Sequence, residues 1–295
     1  MNVAAAWRRF LGHGQPRPPV PADLARRLAR VRLHAHRRLA SSWAGAYRTA
    51  FKGEGIEFAG VRAYVPGDDV RAVDWRVTAR TGHLTIRRYV EERNRTVLVV
   101  VDVGAATAAG SGTRTLLEVA ADVVALVGGA ALAGGDRFAL LAWSDRQELL
   151  LTPRRSDAAL LQAVRALLLL PCGGRPADLA GALATVPRLL RRSGVLVVIS
   201  PFLGGGFGRT LAALRGKHEV LAVRLWDERA GRGTATAAVP ARDPGGRAGW
   251  AVAAGSGAPG ELSRLRADLL TVGPETMLAP ALANAFLARG RRRGV

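Results

Sequence analysis

Two residue types are nearly missing from this chain, and each absence closes a line of chemistry. Cys172 is the single cysteine, so no internal disulfide and no cysteine-based zinc site can form, which fits a reducing cytoplasm. Lysine occurs only at Lys52 and Lys217, so the net charge of +20 is almost all arginine. Aromatic residues make up 5% of the chain and no groove- or base-reading motif is present, which argues against nucleic acid as the partner. Abundant Ala, Gly and Arg together are what a GC-rich coding sequence produces. The charge therefore implies no more than weak attraction to acidic surfaces, such as an anionic membrane. The five histidines form no ligand-spaced cluster; His34 and His36 sit on different faces of a helix. Long apolar runs are also scarce. The longest, VVALVGGAALAGG from Val123, is too short to span a bilayer and closely follows Glu118 and Asp122. The N-terminus lacks the basic-then-apolar order of a secretory signal.

What the chain does have is apolar content (49%) sufficient for a real core. Residues 1–20 read as a flexible lead-in, and residues 21–96 as a basic helix followed by a charged segment. In the helix, Leu24, Leu28, Val31, Ala35 and Leu39 fall at helical spacing among arginines. It either packs on its own domain with a solvated basic side, or lies on a membrane or partner. Residues 41–96 read as loops and short strands, with Pro66-Gly67 suited to a type II turn.

From Val97 to about residue 290 the pattern becomes doubly wound. VLVVVD, GVLVVIS and HEVLAVRLW are buried strands, RFALLAW and QELLLTP a hairpin, and ADLLTVG a last strand. Between them TLLEVAADVVALVGGAAL, SDAALLQAVRALLLL, DLAGALATVPRLLRR, GRTLAALRG and MLAPALANAFLARG read as helices. Residues 227–258 form an edge excursion with a strand in GWAVAA, and residues 291–295 a basic tail. Nearly all-apolar strands alternating with helices predict an α/β fold with a mainly parallel sheet covered on both faces.

In such folds ligands collect beyond the carboxyl ends of the strands. The loops after Val101, around Gly173 and after Ile199 are the places to look. GGGFGRT imitates a phosphate loop, but Leu203 stands at the first glycine and Arg209 replaces the lysine. Cys172 has no histidine near it in sequence, and no serine nucleophile elbow exists. No catalytic set is present, and no cofactor or small-molecule substrate is expected.

Residues 53–101 carry a dense ordered set of pieces: GEGIEF, RAY, PGDD, VRAVDW, TAR and YVEER before the first strand. This set resembles the signature of the bacterial family known as domain of unknown function 58, and the resemblance extends over most of the chain from about residue 45. It implies a von Willebrand A-like, Rossmann-like sheet with a metal-ion-dependent adhesion site of pattern Asp-x-Ser-x-Ser, a Thr and a later Asp. Such oxygen ligands suit Mg²⁺. Here Asp102 is kept, but Gly104, Ala106, Ala177 and Pro201 stand at the other four positions, with Thr107 and Asp178 the only nearby substitutes. Asp102 is expected to be a remnant that accepts hydrogen bonds from backbone N–H groups of the following loop. The resemblance also implies a non-enzymatic adaptor working with a MoxR-type AAA+ ATPase in assembling or remodelling proteins. A basic peripheral protein bound to anionic membrane or nucleic acid is the alternative.

The signature interleaves Glu57, Arg62, Asp68, Asp69, Arg71, Asp74, Arg76, Arg80, Glu91, Glu92 and Arg93, with Phe58, Tyr64 and Trp75 as expected buried anchors. Arginine forks pair bidentately with carboxylates. The set reads either as an internal network tying the segment to the sheet or as a docking surface that also uses it.

Overall fold

A computed structural model describes residues 45–47, 50–51, 56–91, 94–110, 114–170, 177–203, 205–227, 238–242, 248–252, 260–264 and 268–292. The basic helix expected at 23–40, Cys172, Glu92 and Arg93 lie outside those residues.

Strands β1 (Ile56–Ala63) and β2 (Thr85–Glu91) pair with each other antiparallel. The connection between them holds a 3-10 turn (Val70–Ala72) and a short helix α1 (Trp75–Thr81) that the sequence pattern did not announce. Seven residues are too few for an apolar period to declare itself. The helix is instead set by its ends. The Asp74 carboxylate accepts from the N–H groups of Arg76 and Val77, and Gly82 closes the other end at φ +72°. At Pro66-Gly67, Gly67 has φ +107° and the Asp68 N–H bonds the Val65 carbonyl at 3.0 Å, as a type II turn requires.

The main sheet contains β3 (Thr96–Asp102), β4 (Arg137–Trp143), β5 (Gln147–Arg154), β6 (Val195–Ser200), β7 (Glu219–Leu225) and β10 (Asp268–Val272). Its order is β10-β7-β6-β3-β4-β5, parallel except for β5. Counted along the chain from β3, this is the doubly wound order 3-2-1-4-5-6, with its reversal between β3 and β6. The fold is thus α/β with a mainly parallel sheet. The excursion contributes β8 (Ala238–Arg242) and β9 (Ala248–Val252), which pair with each other and do not extend the main sheet.

Alternate residues of the central strands feed two cores. Val97, Val99 and Val101 face α2 (Leu116–Ala133), α3 (Asp157–Leu168) and α7 (Leu278–Arg292). Leu98 and Val100 face α4 (Leu179–Leu189), α5 (Gly208–Arg215) and Leu262 of α6 (Gly260–Arg264). Helix α2 is 18 residues long with mean hydropathy 1.9, enough by length and composition to cross a membrane, contrary to the shorter run read from sequence. Most of it is buried inside the domain, which accounts for its apolar character. It starts at a capping box in which Thr115 accepts from the Glu118 N–H and Glu118 accepts from the Thr115 N–H.

The segment before β1 is tied to the end of the chain. Tyr47 and Phe51 pack on Phe286, with ring centroids 6.0 and 5.3 Å away. The Tyr47 hydroxyl donates to Asp136 at 2.7 Å, and burial together with that carboxylate pushes the phenol well above its ordinary value. Arg289 reaches back from α7 to Glu219 (3.2 Å), to Asp268 and to the Val220 carbonyl, with its guanidinium 5.0 Å over Phe51.

Candidate functional site

The sheet register places Trp143, Asp102, Ser200 and Arg224 side by side at the carboxyl rim of β4, β3, β6 and β7. All continue the face that packs on α4 and α5, because Leu98/Val100, Leu196/Val198 and Val220/Ala222 precede them at alternate positions. This is the point where strand order reverses, the place where a ligand would be sought.

The carboxylate of Asp102 is buried and already engaged. One oxygen accepts from the Gly104 N–H at 2.8 Å, the backbone bond expected of it, and the other accepts from the Ser200 hydroxyl at 2.7 Å. Ser200 in turn accepts from the Phe202 N–H at 2.9 Å, fixing a residue with φ +54° that only a well-supported loop tolerates in a non-glycine. The sequence pattern does not single out Ser200. Its only signal was a lone hydroxyl ending an apolar strand one position before Pro201. Burial raises the Asp102 carboxyl above the usual carboxylate range, and the bonds from Ser200 and Gly104 pull it back part of the way.

The surrounding positions do not fit a divalent cation. Gly104, Ala106, Ala177 and Pro201 carry no side-chain oxygen. The two expected substitutes are used locally: Thr107 donates to the Gly104 carbonyl at 2.7 Å, and Asp178 accepts from the Gly181 N–H as the cap of α4. The loops are also too close together. A Cβ on Gly104 would lie 2.9 Å from both the Cβ and the backbone N of Ala177. Along the rim, buried Trp143 Nε1 and Arg224 Nε have no hydrogen-bond partner among the described residues; both are donors, which repel a cation rather than ligate it. The Arg224 guanidinium stacks 4.4 Å over Trp226. Among the described residues no group of three or more His, Cys, Asp or Glu is placed to hold a metal.

The signature residues form a separate unit at the β1–β2 ladder. Arg62 grips Asp68 with both guanidinium nitrogens at 2.7 Å, and Asp68 also accepts from the Val65 N–H, which holds its carboxyl below the usual range. Asp69 and Asp74 serve backbone caps instead, accepting from Arg71 N–H and from Arg76 and Val77 N–H. Arg71, Arg76 and Arg80 are exposed, and their side chains take no hydrogen bond or ion pair among the described residues. Among the described residues Arg62–Asp68 is an Arg–carboxylate pair of the expected network, while the short side chains of Asp69 and Asp74 also bond neighbouring turn N–H groups. Trp75 corrects one reading. Expected as a buried anchor, it is 63% exposed, since it opens a short helix whose half-buried side is taken by Val77 and Thr78. Tyr64 is half-buried; the side chains of Glu57, Phe58 and Glu91 fall outside those described. Among the described residues of the unit, Val73 and Ile86 are buried and their backbones form an antiparallel bridge.

Comparison with known proteins agrees with the signature. Residues 60–244 match the model of the family described as "Protein of unknown function DUF58". Two curated relatives, the uncharacterized protein Rv1480 of Mycobacterium tuberculosis (strain ATCC 25618 / H37Rv) and the uncharacterized protein Mb1516 of Mycobacterium bovis, are each 32% identical over 210 residues. The match takes in 70% of this chain and 66% of each relative. Among solved structures, BatB from Bacteroides thetaiotaomicron aligns with a TM-score of 0.49 at 12% identity, covering 67% of this chain and all of that one. The SpRpn10 VWA domain aligns with a TM-score of 0.44 at 14% identity, covering 64% of this chain and 94% of that one. With the family model matching more than half its length, the chain belongs to the DUF58 family.

Proposed function

We propose that this protein is a non-enzymatic adaptor that works with a MoxR-type AAA+ ATPase in assembling or remodelling other proteins, on the cytoplasmic side and without a metal at its strand-tip site. One observation carries the reading: the rim position where a ligand would bind is occupied by the chain's own groups. Asp102 is satisfied by Ser200 and Gly104, and the neighbouring loops meet at Gly104 and Ala177. A degenerate adhesion site of this kind offers no nucleophile, no acid–base pair and no cation. What remains available for function is surface.

The test uses the purified full chain and the MoxR-type ATPase of the same organism, held in its Mg²⁺-ATP state. Co-elution on gel filtration by the wild type, and equally by Asp102→Asn, is the expected result. Loss of the complex in Asp102→Asn, with its thermal stability unchanged, would return the site to metal-dependent binding. No complex with either protein would remove the adaptor reading.

A further inference from the structure

Arg224, at the carboxyl rim of β7, is a buried cation that no anion of the chain meets. It is 5% exposed, its Nε has no hydrogen-bond partner, and no hydrogen bond or ion pair reaches its guanidinium among the described residues. The Trp226 ring lies 4.4 Å from it, and an aromatic face offsets part of the charge without accepting the N–H donors as oxygen would. Burial alone lowers the guanidinium from its ordinary value, with no carboxylate acting to raise it. An ion pair that has lost one partner leaves this same uncompensated charge, one of the costlier states in a folded protein. An incoming anion removes that cost, and the relief favours binding.

The sheet register shows where an anion gains access. Arg224 pairs with Ser200 on one side and with Thr271 on the other. The Ser200 hydroxyl is engaged with Asp102 and the Phe202 N–H. Thr271 lies on β10, the end strand of the main sheet, and is exposed, as is Leu269 at 39%. Parallel partners point to the same face, so Leu269 beside Ala222 and Thr271 beside Arg224 share one side of the sheet. Ala222 belongs to the core under α4 and α5, whereas Leu270 and Val272 turn to the opposite core. The face that is closed over β6 and β7 is therefore open along β10, next to the buried arginine.

We propose that this strip, Arg224 with Trp226, Leu269 and Thr271, binds a carboxylate carried on a partner polypeptide. The two oxygens of a glutamate or aspartate take the guanidinium fork, and an apolar side chain of the same segment covers Leu269. A single fork matches the two oxygens and one charge of a carboxylate. A phosphate dianion brings more charge than one guanidinium neutralises, and a hydration shell that a half-apolar strip does not replace. This goes beyond the adaptor reading, since the site holds whichever protein carries the carboxylate.

The experiment is a titration of the ¹⁵N-labelled full chain with acetyl-Leu-Glu-Ala-amide, its Gln counterpart and inorganic phosphate, at constant ionic strength. It is followed at the Arg224 Nε–H and Trp226 indole N–H signals, which Arg224→Gln and Trp226→Phe identify. The Glu peptide is expected to shift both signals saturably, and the Gln peptide to bind on the order of tenfold more weakly. Arg224→Gln loses the shift at the Trp226 indole. Thr271→Glu, a change at an exposed position, sets the chain's own carboxylate beside Arg224. It is expected to move the Arg224 signal without peptide and to weaken peptide binding on the order of tenfold. The proposal is overturned if neither peptide binds, if the two bind alike, or if Arg224→Gln or Thr271→Glu binds the Glu peptide as well as the wild type does. It is also overturned if phosphate binds the strip more tightly than the Glu peptide, which would make it a site for free anions. None of these readings depends on the ATPase.

Discussion

Replacing Ser200 by alanine probes the account of Asp102 most directly. The hydroxyl makes two bonds in a buried setting, donating to Asp102 and accepting from the Phe202 N–H. Loss of a hydrogen bond to a charged group costs about 1.5–3 kcal/mol, and a stranded buried donor about 1–3 kcal/mol. Because the two losses share one small site, Ser200→Ala should cost on the order of 3 kcal/mol near pH 7. The pH dependence has a defined sign. Asp102 has a folded-state pKa raised by burial, so its folded form holds a proton where the unfolded chain has released it. Its contribution to stability therefore falls as pH rises through that interval and stays reduced above it. Ser200 pulls the pKa down, so its removal widens the interval, and the deficit of Ser200→Ala should be larger at pH 7 than at about pH 4. Asp102→Asn keeps the shape and drops the buried charge; it should cost about 1 kcal/mol or less, and in the double variant it should recover part of the Ser200→Ala loss. Urea titrations of the four proteins at both pH values read these differences as midpoint shifts at constant slope. If Asp102→Asn were the more damaging single change, or if Mg²⁺ raised the melting temperature of the wild type and not of Asp102→Asn, the reasoning would fail.

Two further predictions concern packing. Gly104→Ser, alone or with Ala106→Ser, should cost about 1–3 kcal/mol and give no Mg²⁺-dependent rise in melting temperature, because its Cβ meets the Ala177 backbone and Cβ at 2.9 Å. Calorimetry with and without Mg²⁺ checks this. Arg289→Met should cost about 2–4 kcal/mol by urea unfolding, since it removes one cationic partner from both Glu219 and Asp268 at a nearly buried site; Arg95, 3.3 Å from Glu219, and the partial exposure of Asp268 moderate the loss.

Much of this protein is written locally. Apolar alternation and run length determined the buried strands and the helices between them, because a central parallel strand is covered on both faces and must be apolar throughout. The residue types at 104, 106, 177 and 201 likewise decide, without coordinates, that no side-chain oxygen stands at those four positions. Tertiary structure decided what Asp102 bonds. Ser200 lies 98 positions from Asp102 in sequence, and only the parallel pairing of β3 with β6 makes the two neighbours. The signature segment shows the same division. Its charges were plain to read, but the chain alone could not say that Asp69 and Asp74 would cap turn N–H groups while Asp68 takes the fork of Arg62. Nor could it show that Trp75 would stand outside, because a side chain's burial depends on what the rest of the fold leaves free to cover it.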